Sequence, residues 1–199
     1  MSDSVSEIDL TIVLVRHGET PWSLTGQHTG RTDVPLTENG ILQAKKLQGP
    51  LSKIPFDLVI SSPLSRAMDT CKAAGLLEKC QVSDLALEWD YGDYEGVTST
   101  EIHQERPDWN IFDHGAPQGE SPKDISLRAR TLLDHVLSSG ARSVCVFSHG
   151  HFLRIFGATW IDEGAHNAKR LALSTASISR LGHERTTRVI DFWNSTGHL

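Results

Sequence analysis

The chain has 199 residues and a formal net charge of −6, and 38% of its residues are hydrophobic. This length suits one α/β domain with a sizeable core. The acidic balance argues against a nucleic-acid partner, which needs a basic face. No stretch reaches the length of a transmembrane helix, and segment 1–9 is polar and acidic, without the apolar core of a signal peptide. We therefore expect a flexible tail at 1–9 and a single domain over 10–199, in a cytoplasmic protein that binds no membrane and can form homo-oligomers.

The cysteines and histidines do not predict a metal centre. Cys71, Cys80 and Cys145 show neither paired nor metal-ligand spacing, which favours reduced thiols. Cys71 falls in a helical pattern and Cys145 in an apolar run, so both are expected in the core. The chain has ten histidines, and His149 and His151 form an H-x-H pair, but no cluster of acidic or histidine ligands accompanies it. The sequence predicts neither a metal nor another cofactor.

Three short apolar runs predict buried strands, and polar residues follow each of them. The runs cover Leu10–Val15, Phe56–Ile60 and Ser143–Phe147. They lead into Arg16-His17-Gly18, Ser61-Ser62 with Arg66 shortly after, and Ser148-His149-Gly150. In open α/β sheets, ligands bind beyond the carboxyl ends of the strands. If the three strands are parallel neighbours, the polar clusters meet at one edge; periodicity alone leaves their adjacency open.

Helical periods lie between and after these strands. They predict helices over Thr37–Leu47, from Ser62 through Ala74, over Ile125–Leu137 and over Phe152–Trp160. The alternating segments Thr175–Leu181 and Arg188–Phe192 predict an antiparallel hairpin with its turn at Gly182–Arg185. This order of elements favours a three-layer αβα sandwich around a mostly parallel sheet with an antiparallel terminal hairpin.

The segment 90–124 differs from the rest of the chain. It is rich in glycine, proline, aromatic and acidic residues and shows little sustained periodicity. We interpret it as an insertion over the active edge, with one short helix near Thr98–Glu105. Its aromatic residues Tyr91, Tyr94 and Trp109 suit either a wall for a sugar or a small core of the insertion.

Two histidines and two arginines at strand ends suit phosphoryl transfer. The transition state spreads charge over three oxygens, and the planar fork of arginine binds two oxygens at once. An uncharged imidazole can attack phosphorus, and a protonated one can donate to the oxygens. Each of these residues alone has an ordinary structural explanation. Their shared placement at strand ends is what indicates a site for a phosphate ester.

The motifs also resemble, in order, those of the histidine phosphatase superfamily, which is phosphoglycerate mutase-like. Arg16–Thr20 reads RHGET, similar to the signature of that family. The resemblance continues through Gly30–Asp33, Pro35–Gly40, Ser61–Ala67, Leu87–Gly96, Gly119–Ser121 and Ser148–Arg154. The short RHG motif is weak by itself, whereas the ordered set covers nearly the whole chain and is highly specific.

This resemblance implies a role for each matching residue. His17 would be the phosphorylated nucleophile, and Glu88 would protonate the leaving alkoxide and then activate water. Arg16, Arg66 and His149 would bind the transferred phosphoryl group. The resemblance further implies a substrate-binding set of Ser23, Thr29, Gly30, Tyr91, Gly150 and His151.

Within the family, several strings are most similar to the sedoheptulose-bisphosphatase branch. They are Gly26–Gly30, Glu88–Gly96, Trp109–Ile111 and His149–Arg154. The resemblance thus implies a phosphatase acting on a small phosphorylated metabolite, a sugar phosphate or sugar bisphosphate.

Two other functions fit the sequence less well. Cofactor-dependent phosphoglycerate mutases carry a longer basic insertion and an asparagine where this chain has Ser23. The segment from Gly96 to Asp124 contains two basic residues, Arg106 and Lys123, and six acidic residues. It is therefore poorly suited to hold the dianionic acid that a mutase binds. A non-catalytic phosphate-binding module is disfavoured because all five catalytic positions are filled.

Overall fold

The computed structural model of the protein describes residues 10–199, and the tail predicted at 1–9 lies outside the described residues. One six-stranded sheet runs through this part of the chain. Its strands are β1 Thr11–Arg16, β2 Leu58–Ser61, β3 Cys80–Val82, β4 Ser143–Ser148, β5 Ile178–Glu184 and β6 Thr187–Ser195. Their order is β3-β2-β4-β1-β5-β6. The first four strands in this order are parallel, whereas β5 is antiparallel to β1 and to β6.

Helices connect the strands. They are α1 Pro21–Thr25, α2 Glu38–Lys46, α3 Gln48–Leu51, α4 Ser65–Ala73, α5 Ser99–Glu105, α6 Ile111–His114, α7 Pro122–Ser138, α8 Gly150–Trp160 and α9 Ala165–Ala168. Short 3-10 turns occupy Leu77–Lys79, Asp84–Ala86 and Gly92–Tyr94. No helix in residues 10–199 is long and apolar enough to cross a membrane.

Alternate residues of the central strands face two separate cores. Ile12 and Leu14 of β1 belong to a cluster that contains the buried residues of α7 and α8, together with Trp89 and Trp109. Val13 of β1 belongs to the cluster on the other face, with buried residues near α3 and on α4. A sheet covered on both faces by helices is the three-layer α/β sandwich that the sequence predicts. Cys71 and Cys145 are buried in the second cluster, as expected.

The register of the parallel strands brings their polar ends together. Arg16 at the end of β1 pairs with Ser148 of β4, and Ser61 at the end of β2 pairs with Phe147. β4 lies between β1 and β2, so all three strands end at the same edge of the sheet. The adjacency that periodicity left open is therefore confirmed.

The terminal hairpin differs from its prediction in one respect. Gly182, His183 and Glu184 were expected to form the turn, but they pair with β6 as part of β5. The turn is instead Arg185-Thr186, where Arg185 has a left-handed backbone (φ 57°). A Cβ on Gly182 would lie 2.7 Å from the Asp191 carboxylate. The close packing of β5 against β6 therefore explains why this position is a glycine.

Two further predictions need correction. The helix expected from Ser62 begins at Ser65, because its N-cap residue is Leu64, and the N–H of Ser65 donates to the Asp33 carboxylate (2.8 Å). The insertion is more ordered than its weak periodicity indicates. It holds α5 and α6, and its apolar side chains, Trp109 among them, pack into the larger core.

Candidate active site

His17 presents an unprotonated nitrogen. Its Nδ1 lies 2.7 Å from the carbonyl oxygen of Gly18. A carbonyl oxygen can only accept a hydrogen bond, so the Nδ1 atom carries the proton and Nε2 keeps its lone pair. Burial lowers the pKa of His17 well below its ordinary value, and the charges of Arg16 and Arg66 lower it further. The ring is therefore neutral at pH 7, which is the form that can attack phosphorus.

The backbone that carries His17 is fixed on both sides. The His17 N–H donates to the Ser148 carbonyl (3.0 Å), and the His17 carbonyl accepts from the Ala176 N–H (2.9 Å). A Cβ on Gly18 would lie 2.4 Å from the carbonyl oxygen of Gly40 at the start of α2, so no side chain fits there. His17 thus sits on a rigid support.

Arg16 has a buried donor without a partner. Its Nη1 donates to the Leu173 carbonyl (2.5 Å), whereas its Nε is buried and has no hydrogen-bond partner among residues 10–199. An unsatisfied buried donor costs free energy, so such a group indicates a missing acceptor. An anionic oxygen bound beside His17 would provide it.

Arg66 and His149 are bonded to each other, and the ring centroid of His149 lies 5.2 Å from that of His17. Arg66 Nε donates to His149 Nδ1 (3.1 Å), and its Nη atoms donate to the carbonyl groups of Thr29, Gly30 and Thr32. Because His149 Nδ1 accepts, its Nε2 carries the proton and donates to the Ser62 hydroxyl (2.8 Å). Burial lowers the pKa of His149 well below its ordinary value. The structure therefore holds His149 neutral, with both ring nitrogens engaged.

Glu88 is held at the N-terminus of α8. Its Oε1 accepts from the N–H groups of Trp89 and Phe152 (both 2.8 Å), and its Oε2 accepts from the N–H of His151 (3.0 Å). The first amides of a helix have no partner within it, so they can donate to the oxygens of a carboxyl group. These three bonds fix the orientation of the carboxyl group.

These groups surround a cavity of about 230 Å³ at the edge of the sheet. Its lining contains most of the predicted site residues: Arg16, His17, Ser23, Thr29, Glu88, Tyr91, Gly150 and His151. Three predicted residues, Arg66, His149 and Gly30, are not part of the lining. Among residues 10–199, Glu88 is the only carboxylate that lines this cavity.

Two chain segments form one wall of the cavity and are paired with each other. Gln27 and Thr98 form an antiparallel bridge. The N–H of His28 donates to the Val97 carbonyl (3.0 Å), and the His28 carbonyl accepts from the Gly96 N–H (2.8 Å). We call segments 26–29 and 96–99 together the paired wall.

The aromatic residues of the insertion divide between the two expected roles. Tyr91 lines the cavity, stacks on His28 with ring centroids 4.7 Å apart, and bonds through its hydroxyl to His151 Nδ1. Trp109 is buried in the core and contributes to an adjoining cavity of about 180 Å³. Tyr94 packs edge-on against Trp109.

Sequence reasoning missed several residues of the lining. They are Thr20, Trp22, Gly26, Gln27, His28, Ser99, Arg154 and Leu173. The Gly26–Gly30 and His149–Arg154 strings contain four of them, so proximity to a motif was the available signal. Leu173 and Ser99 follow no motif and reach the cavity through the tertiary fold alone.

We expect His28 to weaken the folded state in acid. Burial lowers its pKa to about 4, so between that value and its ordinary value the unfolded chain binds more protons. The free energy of unfolding then falls as the pH falls through this window, by about 2 kcal/mol from His28 at about pH 5. Urea unfolding near pH 7.5 and near pH 5 should show a smaller loss for His28→Phe, which keeps a ring against Tyr91, than for the wild type. Equal losses in the free energy of unfolding for the two proteins would contradict the assignment of this pH dependence to His28.

Comparison with known proteins identifies the family of this chain. The family model for the histidine phosphatase superfamily (branch 1) matches residues 12–196. The chain belongs to the histidine phosphatase superfamily. The enzyme class predicted from the sequence, a histidine phosphatase, is confirmed.

Individual relatives cover most of the chain. An acid phosphatase of Mycobacterium tuberculosis is 41% identical over 193 residues, which cover 94% of this chain and 93% of that protein. The sedoheptulose 1,7-bisphosphatase of Saccharomyces cerevisiae is 34% identical over 184 residues, 76% of this chain and 68% of that one. The predicted resemblance to the latter branch is therefore found, although identity to the acid phosphatase is higher.

Solved structures confirm the fold. The structure of the open reading frame Rv3214 from Mycobacterium tuberculosis superimposes with a TM-score of 0.90 at 40% identity, and the match covers 95% of this chain and 99% of that chain. The phosphoglycerate mutase-like αβα sandwich expected from the motifs is thus the fold of this superfamily member.

Proposed function

We propose that this enzyme hydrolyses a small phosphate ester, a sugar phosphate or sugar bisphosphate, through a phosphohistidine on His17. One observation carries the proposal: the neutral His17, with its Nε2 lone pair available, lies beside Arg16, whose buried Nε–H has no acceptor in residues 10–199. A nucleophile next to an unpaired cationic donor is the arrangement that a phosphoryl group requires.

The reaction then proceeds in two steps. In the first, His17 Nε2 forms a bond to phosphorus, the ester P–O bond breaks, and the Glu88 carboxyl group gives its proton to the departing alkoxide. In the second, the Glu88 carboxylate takes a proton from water, the oxygen attacks phosphorus, and the N–P bond breaks. Water thereby restores both residues and releases inorganic phosphate.

Electrostatics support an anionic substrate despite the acidic chain. The cavity lining contains Arg16 and Arg154, and Glu88 supplies its single carboxylate among residues 10–199. Arg66 adds a buried positive charge next to His149, whose ring centroid lies 5.2 Å from that of His17. In a low-dielectric site such charges act strongly on the transferred group. Direct contact of Arg66 and His149 with the phosphoryl oxygens stays a prediction, since neither residue is part of the lining.

The polar surroundings of the cavity favour a leaving group with hydroxyls. Ser23, Gln27, Thr29 and Ser99 place hydroxyl and amide groups in the lining, next to the ring of Tyr91. Each of these groups already has a hydrogen-bond partner in the protein, and their oxygens keep further acceptor capacity that can receive the hydroxyl groups of a sugar. The sugar bisphosphatase among the relatives supports the same class of substrate.

A phosphate-release screen in excess chelator tests the proposal. We expect turnover of sugar bisphosphates and sugar monophosphates to exceed that of phosphoglycerates and nucleotides. Activity should persist in chelator, because arginine charge neutralises the phosphoryl oxygens. Interconversion of 2- and 3-phosphoglycerate that is faster than phosphate release would favour the mutase alternative. A loss of activity that a divalent ion restores would contradict the metal-independent chemistry.

A further inference from the structure

Arg128 on α7 uses every N–H group of its guanidinium around the segment that carries Glu88. Its Nη1 donates to the carbonyl groups of Leu85 (3.1 Å) and Leu87 (2.6 Å), and its Nη2 donates to the carbonyl of Glu88 itself (3.0 Å). The two remaining N–H groups donate to the Glu120 carboxylate at 2.8 and 2.7 Å. Five bonds from one guanidinium fix its partners in a single geometry.

Glu120 extends this arrangement to the other side of Glu88. Its Oε2 also accepts from the backbone N–H of Asp90 (2.9 Å), and its carbonyl oxygen accepts from Trp89 Nε1 (2.8 Å). The backbone N–H of Glu120 donates back to the Asp90 carbonyl (2.9 Å). Segment 85–90, which we call the acid loop, is therefore held both before and after Glu88.

The same guanidinium also contacts the helix that binds the Glu88 carboxyl group. Its central carbon lies 4.8 Å from the ring centroid of Phe152, and the Phe152 N–H donates to Glu88 Oε1 (2.8 Å). Arg128 thus supports both the backbone and the carboxyl group of Glu88. Neither Arg128 nor Glu120 lines the cavity, and their side chains are only 12% and 16% exposed.

We propose that Arg128, together with Glu120, is a positioning residue that keeps the Glu88 carboxyl group where it can protonate the leaving group. This rests on the proposed function of Glu88 as the general acid. The charges of Arg128 and Glu120 offset each other, so the pair orients the acid loop through hydrogen bonds rather than by adding net charge. Misplacement of a reacting group by about 1 Å can cost on the order of 100-fold in rate.

The test compares two leaving groups in single-turnover phosphorylation. Arg128→Lys keeps the charge but cannot make five bonds, and Glu120→Gln keeps the size but loses the carboxylate. Both variants should phosphorylate roughly 10- to 100-fold more slowly with a sugar phosphate. With 4-nitrophenyl phosphate, whose leaving group departs without an acid, the change should stay below about 3-fold. In a Glu88→Gln background, Arg128→Lys should add little further loss.

Arg130 on the same helix provides a matched control. Its ion pair with Asp162 is exposed, with 41% and 73% of the two side chains accessible, so Arg130→Lys should leave the ratio of the two rates unchanged. Equal losses with both substrates in the folded Arg128 and Glu120 variants, or no loss at all, would overturn the positioning role and leave Glu88 in place. Failure of both variants to fold would assign the pair a structural role and also overturn it. If Glu88→Gln alone shows no dependence on the leaving group, the acid role of Glu88 fails and this inference falls with it.

Discussion

His17→Ala should reduce turnover by roughly 10³-fold or more, because removal of a covalent nucleophile removes the chemical step itself. The fold should survive, since the supporting hydrogen bonds of position 17 come from its backbone N–H and carbonyl. Rapid-quench labelling of the wild type with a radioactive substrate should trap an acid-labile, base-stable phosphoprotein. The alanine variant should show no such label.

The exposed His135 on α7 supplies the control for this experiment. His135→Ala should retain both turnover and labelling, because its side chain faces solvent away from the cavity. Thermal unfolding of both variants separates a chemical effect from a loss of structure. Full turnover of the wild type without a trapped adduct would replace the covalent route with direct attack by water.

Glu88→Gln should slow phosphorylation from a sugar phosphate by roughly 10²–10⁴-fold, the usual contribution of a general acid. A sugar alkoxide must be protonated as it leaves, whereas a nitrophenolate leaves unaided. The loss with an aryl phosphate should therefore be much smaller in the first step. Pre-steady-state phosphorylation with both substrates measures that step separately from the hydrolysis of the phosphoenzyme, in which the proposed mechanism also uses Glu88.

The hydrogen bonds of the Glu88 carboxyl group determine which controls the Glu88→Gln variant needs. The glutamine amide group would place an N–H where Glu88 Oε2 accepts from His151, so thermal stability must be measured alongside activity. Glu95 is the matched control, because its carboxylate accepts from backbone N–H groups including those of Gly30 and Thr32 and does not line the cavity. Glu95→Gln should change the phosphorylation rates with the two substrates by the same factor. Equal losses in Glu88→Gln would exclude Glu88 as the acid on the leaving group.

The sheet and its active edge could be predicted because short-range patterns determine them. An apolar run long enough for one strand, ended by Arg16 or Ser148, indicates where a strand stops and a ligand edge begins. The helices over 38–46 and 122–138 follow from their capping residues and their apolar period. The sequence pattern does not predict strand β3, and the order of the strands also required the tertiary structure.

The remaining features depend on contacts that are distant in sequence. The acid loop is held by Arg128, whose nearest backbone partner is 40 residues away along the chain. The tautomer of His149 depends on the hydrogen bond from Arg66, 83 residues away. No periodicity reports such contacts. The hairpin turn was misplaced for a related reason, because Gly182 serves packing against Asp191 rather than a turn.

The paired wall has a consequence for any exchange of parts between relatives. Backbone hydrogen bonds join Gln27 and His28 to the residues around Val97, so the two segments are one piece of the surface although 70 residues separate them. A graft of a foreign loop at 96–99 alone would discard the bonding pattern of 26–29 and displace His28 from Tyr91. Chimeras that alter the paired wall must therefore transplant both segments together. Natural substitutions in the two segments should covary among relatives.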